Sequence, residues 1–469
     1  MKKVNNELET QGSVSVRQPE NLLTPGQIIQ IAHRMLYNIN SSIAIHNEQT
    51  AFLALELVKD HQMNERCNIQ NLVVLALFHT IGFFNNNYFY QINQQDNLET
   101  DIDYFSTDKS IESKYMFSFY YLEFMTPLHK DALALESFNQ NYIGALKNYL
   151  YQTEYKSIIS FSAHVADYLT KHPDDDLPND IDKIAPGKFD PAYVKIFKQI
   201  NKNNRVVEQL RDGSYKESLF DFINDITMPN EAKNEIFKLL VYILDFKSTT
   251  TLSHSINTSC YALSLGTRMN LSEQEIKVLF TSALLHDVGK IATPQHILEY
   301  PGRLTPENMG IMRHHVNHSK RILQDFVPQE ILEAVYRHHE KLDGSGYPNK
   351  ISGDELSVVQ RIITVADITS ALNDSRSYKK EFTKEETIAE LKTLVSKGKL
   401  DPKITNILIE DFDEIKKELL GYRNFLKVDF STVLHKFSDY LINDAEKIID
   451  SAVTDLPAHD DDIGVLEEV

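Results

Sequence analysis

From Glu275 to Asp287, the apolar residues Ile276, Leu279, Phe280, Ala283 and Leu284 fall at i, i+3, i+4, i+7 and i+8. That spacing makes one stripe along a helix and has no counterpart in a strand. Ser272 with Glu275 three residues later predicts a capping box at the helix start. Gly289 marks its end. His286, Asp287 and Lys290 then stand in the last turn or just beyond it, polar groups closing an apolar face. Similar patterning runs from about Pro25 to Thr170 and resumes near Tyr193. It continues to about Ser451 with one Gly/Pro-rich interruption, at 343–348. No sustained Val/Ile/Thr alternation points to a sheet, so the expected fold class is all-α.

A chain of 469 residues is too long for one ordinary core, so two or three domains are expected. Residues 1–24 are polar and read as an unpacked terminus, and 25–170 read as a first helical domain. Pro and clustered acids, from His172-Pro173-Asp174-Asp175-Asp176 through Pro178, Pro186 and Pro191, open a linker with connecting helices over 171–235. A second helical domain spans 236–400, C-terminal helices 401–452, and a solvated acidic tail 453–469.

The net charge of -19 excludes a general DNA or RNA binder, because polymer binding by counterion release needs a broad basic surface. A small anion still fits if a few cations converge on it. Cys67 and Cys260 are far apart and form no CxxC, which reads as reduced thiols in a cytosolic protein. Met1-Lys2-Lys3 leads into polar residues and not into an apolar run, so no signal peptide is expected. The longest aliphatic stretch, Leu72 to Phe78, is far short of the ~20 residues that span a bilayer. The expected location is the cytoplasm.

Between His254 and Asp367 the chain carries a series of metal-ligand types: His254, His286, Asp287, His315, His338, His339 and Asp367. Imidazole and carboxylate suit iron, manganese or zinc, and the lack of Cys argues against a structural zinc finger. Seven groups are more than one ion needs and about right for two, provided a carboxylate is shared. Asp287, central in the series, is the natural bridge. A lone histidine is more often a surface or core residue, and His296, His314 and His318 are assigned no ligand role.

Leu285-His286-Asp287-Val288-Gly289-Lys290, followed by His338-His339-Glu340-Lys341-Leu342-Asp343-Gly344-Ser345-Gly346-Tyr347-Pro348, resembles the HD-GYP family of the HD superfamily of metal-dependent phosphohydrolases. The resemblance covers roughly residues 240–400. It implies a helical HD-type bundle and two divalent metals, iron or manganese. His254, His286, Asp287 and Asp367 would hold the first ion, and His315, His338, His339 and the bridging Asp287 the second. It also implies cyclic di-GMP phosphodiesterase activity through a metal-bridging hydroxide, yielding the linear dinucleotide, with further cleavage to GMP left open. Asp287 and Lys290 would be catalytic. Lys290, Tyr347, Arg376, Lys379, Gly344 and Gly346 would meet the substrate: the cations its phosphates, Tyr347 a guanine-type base, and the glycines by shaping a tight loop. The glutamate that some family members use for a third metal is replaced by Thr250, so two ions are expected. Ser319 and Ser377 stand where a Gly and a Pro are usual. None of these departures removes a ligand.

The upstream half echoes the pattern. His46 precedes His79 by 33 residues, as His254 precedes His286 by 32. Aligning Leu77-Phe78-His79-Thr80-Ile81-Gly82-Phe83 with Leu284-Leu285-His286-Asp287-Val288-Gly289-Lys290 puts Thr80 in place of the bridging aspartate and Phe83 in place of Lys290. Ile158–Ala163 resembles Ile362–Asp367 with Ala163 replacing the carboxylate, and Phe138-Asn139 fall at the His-His place. Residues 25–170 therefore read as a degenerate HD-like domain kept for packing, homodimerisation or sensing. Three functions remain open on the sequence: a cyclic-dinucleotide phosphodiesterase, for cyclic di-GMP or 3',3'-cyclic GMP-AMP; a low-turnover receptor or scaffold for the nucleotide and cyclase-domain proteins; and a mononucleotide phosphohydrolase. All belong to bacterial second-messenger or nucleotide chemistry.

Overall fold

Side-chain caps mark where helices begin in this chain. Thr24, Ser272, Ser357 and Thr383 each accept a bond from the backbone N–H three residues on, and the side chains of Gln27, Glu275, Gln360 and Glu386 accept one from the cap residue's backbone N–H. The structure, a computed structural model, describes residues 22–59, 68–84, 102–106, 108–136, 138, 152–175, 177, 181, 189–374, 381–421 and 432–441. Among these residues the regular elements are α-helices and short 3-10 turns, with no strand.

The upstream half is built on helices Pro25–Ile39, Ser41–Val58, Ile69–Phe78, Lys109–Met125 and Gln152–Lys171. Helices Pro191–Asn204, Val206–Asp212, Tyr215–Asn224 and Asn230–Ile243 connect it to the downstream half. There Thr249–Arg268 packs on Glu273–Leu285 and on Val358–Asn373, with His315–Leu323 and Gln329–Tyr336 closing the other side. One buried apolar network runs through both halves, from Leu23 to Phe437. Phe437 meets Phe117 of the upstream half edge-on at 5.3 Å, so the C-terminal stretch returns to the start of the fold.

The two halves share a local plan. Ser41–Val58 packs on Ile69–Phe78 and Gln152–Lys171 as Thr249–Arg268 packs on its two neighbours. A 3-10 turn follows the second helix in each case, Ile81–Phe84 and Val288–Ala292. Gly82 N–H donates to Ser118 Oγ and Gly289 N–H to Ser319 Oγ, both at 2.9 Å.

Helix Pro25–Ile39 joins the halves physically, lying against the Val288–Ala292 turn and the His315–Leu323 helix. Arg34 donates to the carbonyl of Arg321 at 3.1 Å and to Asp325 at 2.8 Å, and its guanidinium covers the Phe326 ring at 4.2 Å. It therefore caps the C-terminal end of that helix, where a cation is favourable. Arg34→Ala should lower the urea midpoint by an amount equivalent to about 1 kcal/mol, with no change in the slope of the transition.

Four sequence expectations change or gain detail. Residues 1–24 are not all an unpacked terminus: Leu23 is buried and Thr24 caps the first helix. The connecting helices expected over 171–235 also supply core, because Phe197, Leu219 and Ile223 are fully buried. Helical structure after Tyr193 is broken in several places beyond 343–348, including 269–272, where Asn270 takes a left-handed backbone, and 299–305, which contains Pro301. Gly289 does not end its helix, which stops at Leu285. A Cβ there would lie 2.0 Å from the His315 carbonyl oxygen, so Gly289 is needed for close approach of two segments.

Candidate metal centre

Helix ends aim three of the histidines. His286 follows helix Glu273–Leu285, His315 follows Pro306–Arg313, and His338 lies just past Gln329–Tyr336. Helix C-termini leave carbonyls short of partners. Each ring uses one: Nδ1–H donates to the carbonyl three residues back, Ala283 at 2.7 Å, Met312 at 2.8 Å and Val335 at 2.6 Å. That bond fixes the tautomer and leaves the Nε2 lone pair facing inward.

All seven residues of the ligand series converge. Asp287 stands between two groups, one carboxylate oxygen toward each. Its Oδ2 is 3.1 Å from His286 Nε2 and 3.7 Å from His254 Nε2. Its Oδ1 is 3.4 Å from His315 Nε2 and 4.0 Å from His338 Nε2. Asp367 spans the same gap, with Oδ1 3.0 Å from His254 Nε2 and Oδ2 3.4 Å from His339 Nδ1. Two sets with ligand atoms close enough to hold an ion result: His254, His286 and Asp287, and His315, His338 and His339.

The electrostatics suit cations. Burial alone would raise both carboxylates. Instead His286, Lys290 and His315 hold Asp287, and His254, His339 and His286 hold Asp367, well below the usual carboxylate range. Burial lowers His315 to about 4, His338 to about 3 and His339 well below its ordinary value, so these imidazoles are neutral at pH 7 and free to donate lone pairs. His254 differs: burial would lower it, but bonds to Asp367 and Asp374 raise it to about 9. At the centre, His286 Nε2 and Asp287 Oδ1 are buried without a hydrogen-bond partner. Such atoms are costly unless something beyond the chain satisfies them, and two neighbouring sets of inward-facing nitrogen and oxygen donors fit divalent metal ions.

Of the residues expected to meet substrate, Lys290 lies at the centre, its ammonium paired with Asp287 Oδ2. Tyr347 sits beside the ligands, its ring 4.7 Å from that of His339, and burial pushes its hydroxyl up so that it stays protonated. Gly344 takes the left-handed backbone its position needs, with φ 71°. A Cβ on Gly346 would come within 2.4–2.6 Å of the Glu340 Cα, the His339 carbonyl oxygen and the Lys341 nitrogen, so only glycine lets the loop fold onto the ligand backbone. Arg376 and Lys379 lie outside the described residues.

Three neighbours have roles that the motif reading does not assign. Glu340 is fully buried and accepts the backbone N–H groups of Asn349 and Lys350 at 2.6 and 3.0 Å, which ties down the loop carrying Tyr347. Arg313 holds its guanidinium 5.2 Å above the Tyr347 ring. Asp374 places a carboxylate oxygen 2.9 Å from His254 Nδ1. Its position seven residues after Asp367, on one helical face, is the only signal available in the sequence.

The upstream half brings His46 and His79 to a ring separation of 5.4 Å, the same as His254 and His286. His79 Nδ1–H donates to Ala76 at 2.7 Å, as His286 does to Ala283. There the likeness stops. Thr80 donates to Asn47, Ala163 offers no ligand, and Tyr104 stacks on His46 at 4.0 Å. Tyr115 and Phe138 pack together at 4.7 Å beside His79. Lys114 stands where His315 stands downstream: its carbonyl is the atom a Cβ on Gly82 would strike, as the His315 carbonyl is for Gly289. Among the described residues no third metal-ligating group joins these two histidines. Asn139 lies outside them.

Residues 238–404 match the HD domain family. The 3'3'-cGAMP-specific phosphodiesterase 2 of Vibrio cholerae is 35% identical over 199 residues, which are 42% of this chain and 38% of that protein. The cyclic di-GMP phosphodiesterase response regulator RpfG of Xanthomonas campestris is 31% identical over 216 residues, 45% of this chain and 55% of that protein. The chain thus spans only about two fifths to one half of the length of these curated relatives. The crystal structure of a cyclic GMP-AMP specific phosphodiesterase of Vibrio cholerae, V-cGAP3, covers 86% of this chain and 98% of its own, with a TM-score of 0.51 and 18% identity. That likeness is one of fold, and it extends over both halves. Among the described residues no helix is long and apolar enough to cross a membrane.

Proposed function

We propose that residues 236–400 form a metal-dependent phosphodiesterase that opens a cyclic dinucleotide by adding water across a phosphodiester bond, with cyclic di-GMP as its substrate and the linear dinucleotide as product. The observation that carries this reading is the Asp287 carboxylate, buried between two sets of histidines with one oxygen facing each. A bound pair of divalent ions, iron or manganese, supplies activation of water at neutral pH and charge neutralisation at the phosphoryl group. The chain's own residues do the positioning. Asp287 would serve both ions, His254, His286 and Asp367 one of them, and His315, His338 and His339 the other. Lys290, beside Asp287, would offer its ammonium to a phosphate oxygen, and Arg376 and Lys379 would hold the phosphates. Tyr347 offers a ring face and a protonated hydroxyl to a base, and Gly344 and Gly346 keep its loop close to the ligands.

A second substrate, 3',3'-cyclic GMP-AMP, is supported by the relative of 35% identity that carries that specificity. Incubation of the Mn(II)- or Fe(II)-loaded protein with each cyclic dinucleotide, followed by chromatography of products, tests both. Linear dinucleotide from either one supports phosphodiester cleavage. Tight binding without turnover would replace the enzyme by a receptor, and turnover of mononucleotides alone would replace the substrate class.

Lys290→Ala should keep the wild-type metal content and lower kcat by roughly 10²–10³-fold, as removal of one charge stabiliser does. Loss of metal together with rate would mean that Lys290 acts by organising Asp287 and not on the substrate.

The upstream half is read as a degenerate, metal-free HD-like domain. The absent bridging carboxylate, the lysine at the His315 place and the aromatic rings around His46 support this. His79→Ala should therefore leave the folded protein with as many metal ions per chain as the wild type; a lost equivalent would overturn the assignment.

A further inference from the structure

His254 is placed differently from His286, His315 and His338. Those three follow helix ends and are aimed by backbone carbonyls. His254 lies inside helix Thr249–Arg268, where backbone carbonyls are engaged along the helix, so its outer nitrogen needs a side-chain acceptor. Asp374 meets that need. Its Oδ2 is 2.9 Å from His254 Nδ1, on the side of the ring away from Nε2, which faces Asp367 and Asp287 at 3.0 and 3.7 Å.

The carboxylate is itself held in place. Asn257, one turn after His254, donates to Asp374 Oδ1 at 2.6 Å. Ser370 Oγ donates to Asp374 Oδ2 at 3.0 Å and lies 3.1 Å from His254 Nδ1. Asp367, Ser370 and Asp374 follow one another at i, i+3 and i+7, so one face of helix Val358–Asn373 and its cap delivers both a ligand and the group that orients another ligand. An ionised carboxylate accepts and cannot donate, so Nδ1 carries a hydrogen toward Asp374, and Nε2, facing Asp367 and Asp287, is the nitrogen that would meet a cation in place of its own proton.

Resting on the metal-centre reading above, we infer that Asp374 is the positioning residue for His254, fixing its tautomer and ring orientation for the ion held with His286, Asp287 and Asp367. Outer carboxylates of this kind change metal affinity by roughly 10–100-fold.

The test is Mn(II) binding by the full chain in competition with a chelator, read as the number and affinity of sites. D374A is expected to weaken one of two sites by roughly 10–100-fold and leave the other unchanged. H254A should weaken the same site, and the double variant H254A/D374A should bind as H254A does, because the orienting group has nothing left to orient. Should D374A not fold, D374N serves: it retains an acceptor without the charge, and a several-fold weakening at one site is expected. Two sites of wild-type affinity in D374A or D374N overturn the inference alone. A wild-type chain that takes up no Mn(II) overturns it together with the metal-centre reading.

Discussion

Asp287→Ala is expected to abolish hydrolysis and metal loading together while leaving the helical content close to that of the wild type. Each half of the centre depends on this one carboxylate, since Oδ2 serves His254 and His286 while Oδ1 serves His315 and His338. Without it, two sets of imidazoles face each other with only Asp367 to offset the charge of two divalent ions, and like charges so close in a buried site repel strongly. The expected fall in kcat/KM is at least roughly 10³-fold. The fold should survive because Asp287 lies past the helix that ends at Leu285, in a turn anchored by Gly289 N–H on Ser319. Elemental analysis and far-UV circular dichroism on the same sample check both halves of the claim. Two metal equivalents in this variant would show that the bridge lies elsewhere.

How far such a site can be read from a sequence depends on which contacts are local. The Ile276–Leu284 stripe and the Ser272–Glu275 cap place His286 and Asp287 at a helix end, and the structure has them there. The ligand series lies inside short motifs, so its members can be named before their convergence is visible. Asp374 belongs to no such motif and acts through a helix 120 residues earlier in the chain. Lys114 is an extreme case: apart from a serine four residues on, Ser118 as Ser319, nothing around it resembles the His315 segment, and the contact of its carbonyl with Gly82 is what reveals the correspondence. Gly289 eludes a sequence reading for a related reason. A glycine after an apolar stripe has two uses, a left-handed cap or a close approach, and only the neighbouring segment distinguishes them.

That distinction makes Gly82 and Gly289 a matched pair. A Cβ on Gly289 would sit 2.0 Å from the His315 carbonyl oxygen and 2.4 Å from the Ser319 nitrogen; one on Gly82 would sit 2.2 Å from the Lys114 carbonyl oxygen. These are backbone atoms, so neither clash is relieved by a rotamer change and a helix must shift. Gly289→Ala and Gly82→Ala should each destabilise the protein by about 1–3 kcal/mol or more, the range for overpacking. Their effects on the metal centre should diverge. The helix that the new methyl group at position 289 would displace begins at His315, and His315 Nε2 must stay near Asp287 Oδ1 and His338 Nε2, at 3.4 and 3.3 Å. Gly289→Ala should therefore weaken the ion held by His315, His338 and His339 and lower activity sharply. The helix that a methyl group at position 82 would displace carries Lys114 and no ligand, so Gly82→Ala should unfold at lower denaturant yet retain two metal equivalents while folded. Thermal melts paired with metal analysis separate the two outcomes. Equal metal loss in both variants would mean that the upstream half sets the geometry of the downstream centre, and the two halves could no longer be treated as energetically separate.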